Sequence, residues 1–295
     1  MRHLSPLRYP GGKSVLANFL TNIIDLNDLR GCAYFEPYAG GAGAALSLVR
    51  DDVVSEIYLN DADDRIYAFW RSVQLYPERF IERIITVPLT IEEWYRQHEI
   101  CSNTSKYSQF DVGFATFFMN RCNRSGVLSG SGPIGGYEQR GKWRIDVRFN
   151  REGLSQRIIA LSRYRGRIHV SCKDAIAFLK TSLPRGRGRD RNFIYLDPPY
   201  VNNGQRLYLN AYSANDHVLL AKYLCDQRSL PWVVSYDDSG LIRELYTSLK
   251  IALLPIKYTL QQKRSAHELI IAPHHLSMPS ACRLGGRESF LRKIA

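Results

Sequence analysis

The short sequence Asp197-Pro198-Pro199-Tyr200 follows an apolar run at residues 193–196 and constrains this chain more than any other segment. The run, Phe-Ile-Tyr-Leu, predicts a buried strand. In open α/β sheets, ligands bind beyond the carboxyl ends of the strands, which is where Asp197 would lie. The two prolines fix the backbone and remove two N–H donors, so the Asp197 carboxylate and the Pro198 carbonyl remain as acceptors. With the aromatic face of Tyr200, these groups suit a planar ligand that carries an NH2 group, such as adenine.

A plain structural role is the alternative for the same four residues, in which the prolines form a turn and Asp197 caps the next helix.

The composition of the chain helps to choose the class of ligand. The chain has 295 residues, of which 45% are hydrophobic, enough for one large domain or for a core with an inserted domain. Lys and Arg outnumber Asp and Glu by 40 to 28, and the net charge of +12 favours a polyanionic partner, nucleic acid first.

The cysteines and the apolar stretches exclude several other classes of protein. The six cysteines form no C-x-x-C pair, which argues against a zinc site and fits a reducing compartment. The N-terminus lacks the apolar core of a signal peptide, and no apolar stretch reaches membrane-spanning length. We therefore predict a cytoplasmic protein with no metal and no membrane contact.

Residues 33–61 predict a strand, a glycine loop, a helix and a second strand. The strands are placed at 33–36 and 56–60, with a Gly-rich segment at 37–43 between the first strand and the helix. Asp61 ends the second strand, where a dinucleotide fold places the carboxylate that binds ribose hydroxyls. The pattern implies an adenosine-containing ligand without choosing between NAD and S-adenosylmethionine (AdoMet). A glycine turn followed by an unrelated surface aspartate explains it equally well.

The rest of the chain divides into regions that differ in the spacing of their apolar residues. Apolar residues recur at helical spacing between about 65 and 165, interrupted by a Gly- and Ser-rich turn or hairpin at 125–141, and this block is predicted to be an inserted domain. Strand and helix patterns then return, with strands at 167–171, 192–196 and 232–235, helices at 14–26, 217–225 and 242–249, and an antiparallel pair at 251–261 and 268–272. The predicted boundaries are 1–64 and 166–273 for the core, 65–165 for the insert, and 274–295 for a weakly patterned basic tail. The Arg-rich loop 185–191 is either a solvated loop or a DNA contact.

Two further segments carry polar groups next to predicted turns. Residues 8–13, Arg-Tyr-Pro-Gly-Gly-Lys, lack the spacing of a phosphate-binding loop, and they fit either a capped surface helix or a clamp for a carboxylate and a ring. Residues 120–126, Asn-Arg-Cys-Asn-Arg-Ser-Gly, offer amides and arginines that can reach phosphates or base edges.

Taken in order, these motifs resemble the Dam-like (D12 class) DNA adenine-N6 methyltransferases. The matching segments are 8–13, 35–43 (Phe-Glu-Pro-Tyr-Ala-Gly-Gly-Ala-Gly), 59–61, 117–121, 197–200, 234–238 and 268–271, and together they span most of residues 5–273. The resemblance implies an α/β, Rossmann-like AdoMet-dependent methyltransferase sheet with an inserted, mainly helical DNA-binding domain. Tyr9 stands where the family more often has tryptophan.

The resemblance also assigns roles to residues. The predicted cofactor site comprises Tyr9, Gly12, Lys13, Glu36, Pro37, Gly40, Asp61, Asp174 and Asp197, and the predicted catalytic residues are Asp197, Pro198 and Tyr200. The predicted DNA contacts are Asn120, Arg121, Asn123, Arg124 and Arg140, with the base-reading arginine unassigned among Arg121, Arg124 and Arg140.

The activity implied is methyl transfer from AdoMet to N6 of an adenine flipped out of double-stranded DNA, since a stacked base cannot reach a buried methyl group. One alternative is an AdoMet-dependent methyltransferase that acts on RNA or on a protein amide, and another is a catalytically silent DNA-binding relative. A hydride-transferring dinucleotide enzyme is more distant, because it leaves Asp-Pro-Pro-Tyr without a role. The resemblance leaves open the recognition sequence and a partner restriction endonuclease.

Overall fold

The computed structural model describes residues 4–8, 16–184, 186, 188, 191–201, 212–257, 265–284 and 287–293. The helices in this part of the chain are α1 (Ala17–Leu26), α2 (Gly43–Arg50), α3 (Asp64–Leu75), α4 (Pro77–Thr86), α5 (Ile91–Ser102), α6 (Gln109–Cys122), α7 (Arg151–Ser162), α8 (Ala175–Ser182), α9 (Ala214–Cys225) and α10 (Gly240–Leu245).

The strands are β1 (Ala33–Glu36), β2 (Glu56–Asn60), β3 (Ile168–Ser171), β4 (Asn192–Leu196), β5 (Trp232–Asp237), β6 (Lys250–Lys257), β7 (Ser265–Ala272), β8 (Ala281–Leu284), β9 (Arg287–Phe290) and β10 (Arg292–Lys293). Two compact units result. The sheet unit comprises Lys13–Ala62 and Lys173–Ala295, and the helical unit comprises Met1–Gly12 and Asp63–Cys172.

The sheet unit is built on a mixed sheet in which the strands belonging to this unit lie in the order β10-β6-β7-β5-β4-β1-β2. Strands β2, β1, β4 and β5 are parallel, whereas β7 runs antiparallel to both β5 and β6. All five residues of β4 are buried, as expected for a central parallel strand that is covered on both faces. The predicted α/β, Rossmann-like class is confirmed by this arrangement.

Most of the predicted elements of the sheet unit are found where the apolar patterns placed them. The strands predicted at 33–36, 56–60 and 192–196 have those bounds, and the predicted terminal pair forms between β6 and β7. The helix predicted from residue 217 begins earlier, at Ala214, because Ser213 and Asp216 form a capping box. The helix predicted at 242–249 is shorter, and Ser239 caps its start.

The helical unit has a core rich in aromatic side chains. Helix α6 is buried on nearly all sides, and its phenylalanines pack with those of α3 and α4. Gly113 is needed for this packing, because a Cβ atom there would lie 2.4 Å from the Ala68 carbonyl oxygen of α3. The helices predicted for this part of the chain are therefore confirmed.

One region was left open between two forms and another prediction needs correction. Residues 125–141 form turns, next to a short 3-10 helix at Arg124–Gly126 and one isolated bridge between Asn123 and Pro133, which agrees with the turn and not with a regular hairpin, because glycine is too frequent there to sustain paired strands. The basic tail after Pro273 contains β8, β9 and β10, and β10 pairs with β6 in the main sheet. No helix in the described ranges has the length and apolar character needed to span a bilayer.

Candidate active site

The strand order places a binding crevice at the carboxyl ends of β1 and β4. From β1 the sheet continues to β2 on one side and to β4 and β5 on the other. The gap between the ends of β1 and β4 is therefore the topological switch point, where open α/β sheets bind ligands. Glu36 is the last residue of β1, and Asp197 directly follows β4. The two carboxylates predicted from separate motifs thus belong to neighbouring strands.

The glycine loop after β1 is attached to the end of β2 by two hydrogen bonds. The Ala39 N–H donates to the Asn60 carbonyl at 2.9 Å, and the Gly40 N–H donates to Asp61 Oδ2 at 2.9 Å. Gly40 and Ala42 have φ values of 44° and 47°, so the loop turns sharply in the left-handed region before α2 begins. Asp61 therefore fixes the backbone of the loop as well as offering a carboxylate at the crevice.

Asn60 joins two loops and was missed by sequence reasoning. Its side-chain amide donates to the Pro37 carbonyl at 3.1 Å and to the Lys173 carbonyl at 2.9 Å, while its Oδ1 accepts the Lys173 N–H at 3.0 Å. Asp174, the next residue, caps α8 by accepting the Ala177 N–H at 3.0 Å. Asn60 thereby fixes the loops that carry Pro37 and Asp174, two residues of the predicted cofactor site.

Glu36 is a buried acid at the start of the crevice. The pKa of its carboxyl is raised to about 8, chiefly by burial and in smaller part by the neighbouring Asp197 and Asp61, although hydrogen bonding with the Tyr34 hydroxyl and the Ala45 N–H of α2 acts in the opposite direction. Among the described residues, Oε2 of Glu36 has no hydrogen-bond partner. A buried carboxyl with an unused acceptor fits the cofactor role predicted for Glu36, since AdoMet is cationic and carries N–H donors.

Replacing Glu36 by Gln is expected to flatten the pH dependence of stability. The pKa of this carboxyl is raised to about 8 in the folded chain against an ordinary 4.5, so between these values the folded state keeps a proton that the unfolded state has lost. The free energy of unfolding therefore falls as pH rises through this window, by an amount on the order of a few kcal/mol. Urea unfolding without cofactor at pH 5, 6.5 and 8 measures the slope of the free energy of unfolding against pH, which should be smaller in the Glu36→Gln variant.

The matched control is Glu244→Gln, which changes an exposed acid of the same unit and should keep the slope of the unmodified protein. An equal slope in the Glu36→Gln variant would show that Glu36 is ionised in the folded protein.

The Asp197 carboxylate is held from the adjacent strand β5. Ser235 donates its hydroxyl proton to Asp197 Oδ1 at 3.1 Å, and the Ser235 oxygen lies 2.8 Å from the Tyr195 hydroxyl. Neither Ser235 nor Tyr195 is exposed to solvent. Asp197 is thus fixed by a buried hydroxyl of the adjacent strand.

Two further carboxylates hold the residues after Asp197. The Tyr200 hydroxyl donates to Oε1 of Glu268, a buried residue of β7, and the Val201 N–H donates to Asp237 Oδ1 of β5 at 3.0 Å. Burial, and then the nearby carboxylates of Asp197 and Glu268, raise the pKa of Tyr200, so its hydroxyl remains a proton donor. The apolar context of Glu268 in β7 was the sequence feature that could have indicated a specific role for this acid.

The asparagines predicted to contact DNA form hydrogen bonds within the helical unit. The Asn120 amide donates to the carbonyls of Arg8 and Gly126, and its Oδ1 accepts the Arg8 N–H at 2.6 Å. Asn123 accepts the Trp94 indole N–H at 2.7 Å. Neither asparagine has any exposed surface in this structure, and their contact with DNA stays a prediction.

Arg121 is also turned inward, and its role as a possible base reader stays a prediction. Its side chain donates to the Arg148 carbonyl at 3.0 Å and to the Pro6 carbonyl at 3.3 Å. Burial, and then repulsion from Arg157 and Arg8, lower the pKa of this guanidinium. Arg121 therefore anchors the N-terminal residues of the helical unit.

Arg124 and Arg140 are the predicted DNA contacts that remain exposed. The backbone of Arg124 is fixed on both sides, because its N–H donates to Gly132 and its carbonyl accepts from Ser131. Arg140 forms an ion pair with Glu138 at 3.3 Å, and both side chains lie largely in solvent, so the pair adds little stability. Trp143 is 60% exposed in the same basic stretch.

Three residues of the predicted cofactor site, Tyr9, Gly12 and Lys13, lie outside the described residues, as do most residues of the loop 185–191. Within the described ranges, no group of three or more His, Cys, Asp or Glu side chains is placed to hold a metal ion.

Comparison with known proteins identifies the family. The model of the D12 class N6 adenine-specific DNA methyltransferases matches residues 9–260, which is most of the chain and includes both the glycine loop and Asp197-Pro-Pro-Tyr200. The chain belongs to this family. It is accordingly an adenine-N6 DNA methyltransferase, and the enzyme class predicted from the sequence is confirmed. Membership implies a DNA substrate and a methyl donor.

Comparison with solved structures gives weaker likenesses. An rRNA methyltransferase, aviRa from Streptomyces viridochromogenes, matches with 13% identity and a TM-score of 0.32, over 93% of this chain and 83% of the other. No curated protein matches the chain at a significant level.

Proposed function

We propose that this methyltransferase uses AdoMet to methylate N6 of an adenine that is flipped out of double-stranded DNA. The observation that carries the proposal is the placement of Asp197 at the carboxyl end of β4, beside the switch point, with its carboxylate fixed by Ser235. A fixed acceptor at this position suits an amine whose hydrogens must be held while its nitrogen is methylated.

The cofactor side of the proposal rests on the chemistry of the crevice. Asp61 would accept the ribose hydroxyls of AdoMet, Glu36 and the glycine loop would lie against the rest of the cofactor, and Tyr9, Gly12, Lys13, Pro37, Gly40 and Asp174 complete the proposed set. Bound AdoMet would supply the methyl group on a cationic sulfonium. The residues present fit such a ligand because they combine carboxylate acceptors with a tight backbone turn.

The adenine side rests on Asp197, Pro198 and Tyr200. The carboxylate and the Pro198 carbonyl would accept the two N6 hydrogens, and the ring of Tyr200, tethered by Glu268, would stack on the base. The N6 lone pair is delocalised into the ring of a planar amine, and two acceptors favour a more pyramidal nitrogen whose lone pair can attack. Asp197 acts here as an electrostatic acceptor more than as a base, because N6 becomes strongly acidic only after methylation.

Flipping explains how adenine enters such a site. A base in duplex DNA is stacked and paired, and extruding it costs a few kcal/mol. The net charge of +12 and the exposed arginines of the helical unit would offset part of this cost through contacts with phosphates and bases. We propose that this unit carries target recognition.

The proposed function and its two alternatives differ in the molecule that becomes methylated. A methyltransferase for RNA or for a protein amide would modify those molecules in preference to duplex DNA, and a silent relative would bind DNA without modifying it. Sequencing of modified bases in DNA from cells that express the protein tests the proposal. We expect N6-methyladenine within one sequence motif, and unmodified DNA despite stable expression would contradict it. The motif would also guide the search for a partner endonuclease.

Replacing Arg124 by Ala is expected to relax the choice of sequence. An exposed arginine on a fixed backbone can grip a guanine through two hydrogen bonds, and loss of such a pair costs roughly 1–3 kcal/mol of discrimination. The Arg140→Ala variant should instead weaken binding to all sequences and make the dependence of affinity on salt shallower. Sequencing of methylated sites and salt titrations of duplex binding separate the two effects. An unaltered motif with uniformly weaker binding in the Arg124 variant would move the reading role to Arg140.

A further inference from the structure

We propose that Ser235 and Tyr195 form a buried hydrogen-bonded chain that positions Asp197 for methyl transfer. The inference rests on the proposed function of Asp197 as the acceptor for the target amine, and it adds two positioning residues to that site.

The chain connects two adjacent parallel strands. Tyr195 lies in β4, Ser235 lies in β5, and the strands pair with Tyr195 opposite Val233. The Tyr195 and Ser235 oxygens are 2.8 Å apart, and Ser235 Oγ is 3.1 Å from Asp197 Oδ1. Both hydroxyl residues are fully buried, so water does not compete for these bonds.

The direction of the protons follows from chemistry. An ionised carboxylate only accepts, so the Ser235 proton must point to Asp197. The lone pairs of Ser235 are then left for the Tyr195 proton. Burial, followed by the charges of Asp197 and Glu268, raises the pKa of Tyr195, which keeps this phenol protonated and able to donate.

The consequence is a carboxylate with a restricted orientation. The terminal torsion of an aspartate is broad, and an unrestrained carboxylate would rotate among many acceptor directions. A donor fixed at Oδ1 narrows this range before the substrate binds, and preorganised acceptors of this kind lower the barrier without reorganisation during the reaction. Tyr195 does not reach the carboxylate and acts only through Ser235.

Single-turnover methylation of duplex DNA by Ser235→Ala, Tyr195→Phe and the double variant tests the chain. We expect the rate constant to fall about 10-fold in Ser235→Ala and about 3-fold in Tyr195→Phe, because a misplaced reacting group reduces rate steeply. The double variant should be no slower than Ser235→Ala, since Tyr195 has no route to Asp197 once Ser235 has lost its hydroxyl. The dissociation constants for AdoMet and for DNA should stay within about 2-fold, which a general loss of folding would not allow.

The matched control is Tyr246→Phe, which removes the hydroxyl of an equally buried tyrosine that is not part of this chain of hydrogen bonds and should leave the rate unchanged. If Ser235→Ala fails to fold, the nearly isosteric Tyr195→Phe still removes one link of the chain. A rate constant equal to that of the unmodified enzyme in Ser235→Ala, or in Tyr195→Phe if only that variant folds, would refute the positioning role. If the double variant lost the product of the two single fold-decreases in rate constant, Tyr195 would not act through Ser235, and that part of the proposal would be refuted. Absence of methylation by the unmodified enzyme would instead refute the proposed function and this inference with it.

Discussion

Replacing Asp197 by Ala is expected to lower the rate of methyl transfer about 10²-fold or more. The substitution removes the fixed acceptor at the end of β4, and loss of one preorganised charge-stabilising group costs 10²–10³ in comparable sites. Ser235 keeps Tyr195 as a hydrogen-bond partner in this variant, so the buried hydroxyls are not left unsatisfied. Single-turnover assays with saturating AdoMet measure the rate, and calorimetry measures cofactor binding.

The effect on rate should exceed the effect on AdoMet affinity, although Asp197 is also part of the proposed cofactor site. The Asp197→Asn variant separates charge from size, because it retains an oxygen but replaces the other acceptor by a donor. We expect it to be nearly as slow as Asp197→Ala. Turnover close to that of the unmodified enzyme in either variant would contradict the role proposed for this carboxylate.

Replacing Asp61 by Ala is expected to weaken AdoMet binding about 10²-fold or more. A carboxylate that accepts two ribose hydroxyls forms charge-assisted bonds worth roughly 1.5–3 kcal/mol each. The Gly40 N–H would also lose its acceptor, so the glycine loop would be less well fixed. Calorimetric titration with AdoMet measures the change.

The Asp61→Asn variant distinguishes these two contributions. Its amide oxygen can still accept the Gly40 N–H, but its charge is lost, so its affinity should lie between those of Asp61→Ala and the unmodified enzyme. Unchanged affinity in Asp61→Ala would place the ribose elsewhere. A preference for NAD over AdoMet would contradict the proposed cofactor.

The parts of the fold that could be predicted are those determined by local pattern. Strands β1, β2 and β4 are short apolar runs that end at Glu36, Asn60 and Leu196, so the sequence could place the carboxylates of Glu36, Asp61 and Asp197 at or directly after strand ends. The order of the strands in the sheet then places β1 next to β4, so Glu36 and Asp197 stand at the ends of neighbouring strands.

The parts that could not be predicted depend on contacts between residues far apart in sequence. Ser235 is 38 residues from Asp197, and Glu268 is 68 residues from Tyr200, so neither partnership has a local signature. The burial of Asn120 and Arg121 was not foreseen for the same reason, because polar residues at the end of a helix look exposed until the N-terminal segment that covers them is known. The three strands after Pro273 were missed because short strands with many charges have little apolar alternation.

The central claim is most directly tested by identifying the methylated product. The purified enzyme is incubated with duplex DNA and AdoMet labelled in its methyl group, the DNA is digested to nucleosides, and the labelled nucleoside is identified by mass spectrometry, with RNA and protein offered in parallel reactions. We predict that the label is found in N6-methyldeoxyadenosine, that duplex DNA is the preferred substrate, and that Asp197→Ala abolishes most of the product. Label in a methylated cytosine, or preferential labelling of RNA or protein, would contradict the account.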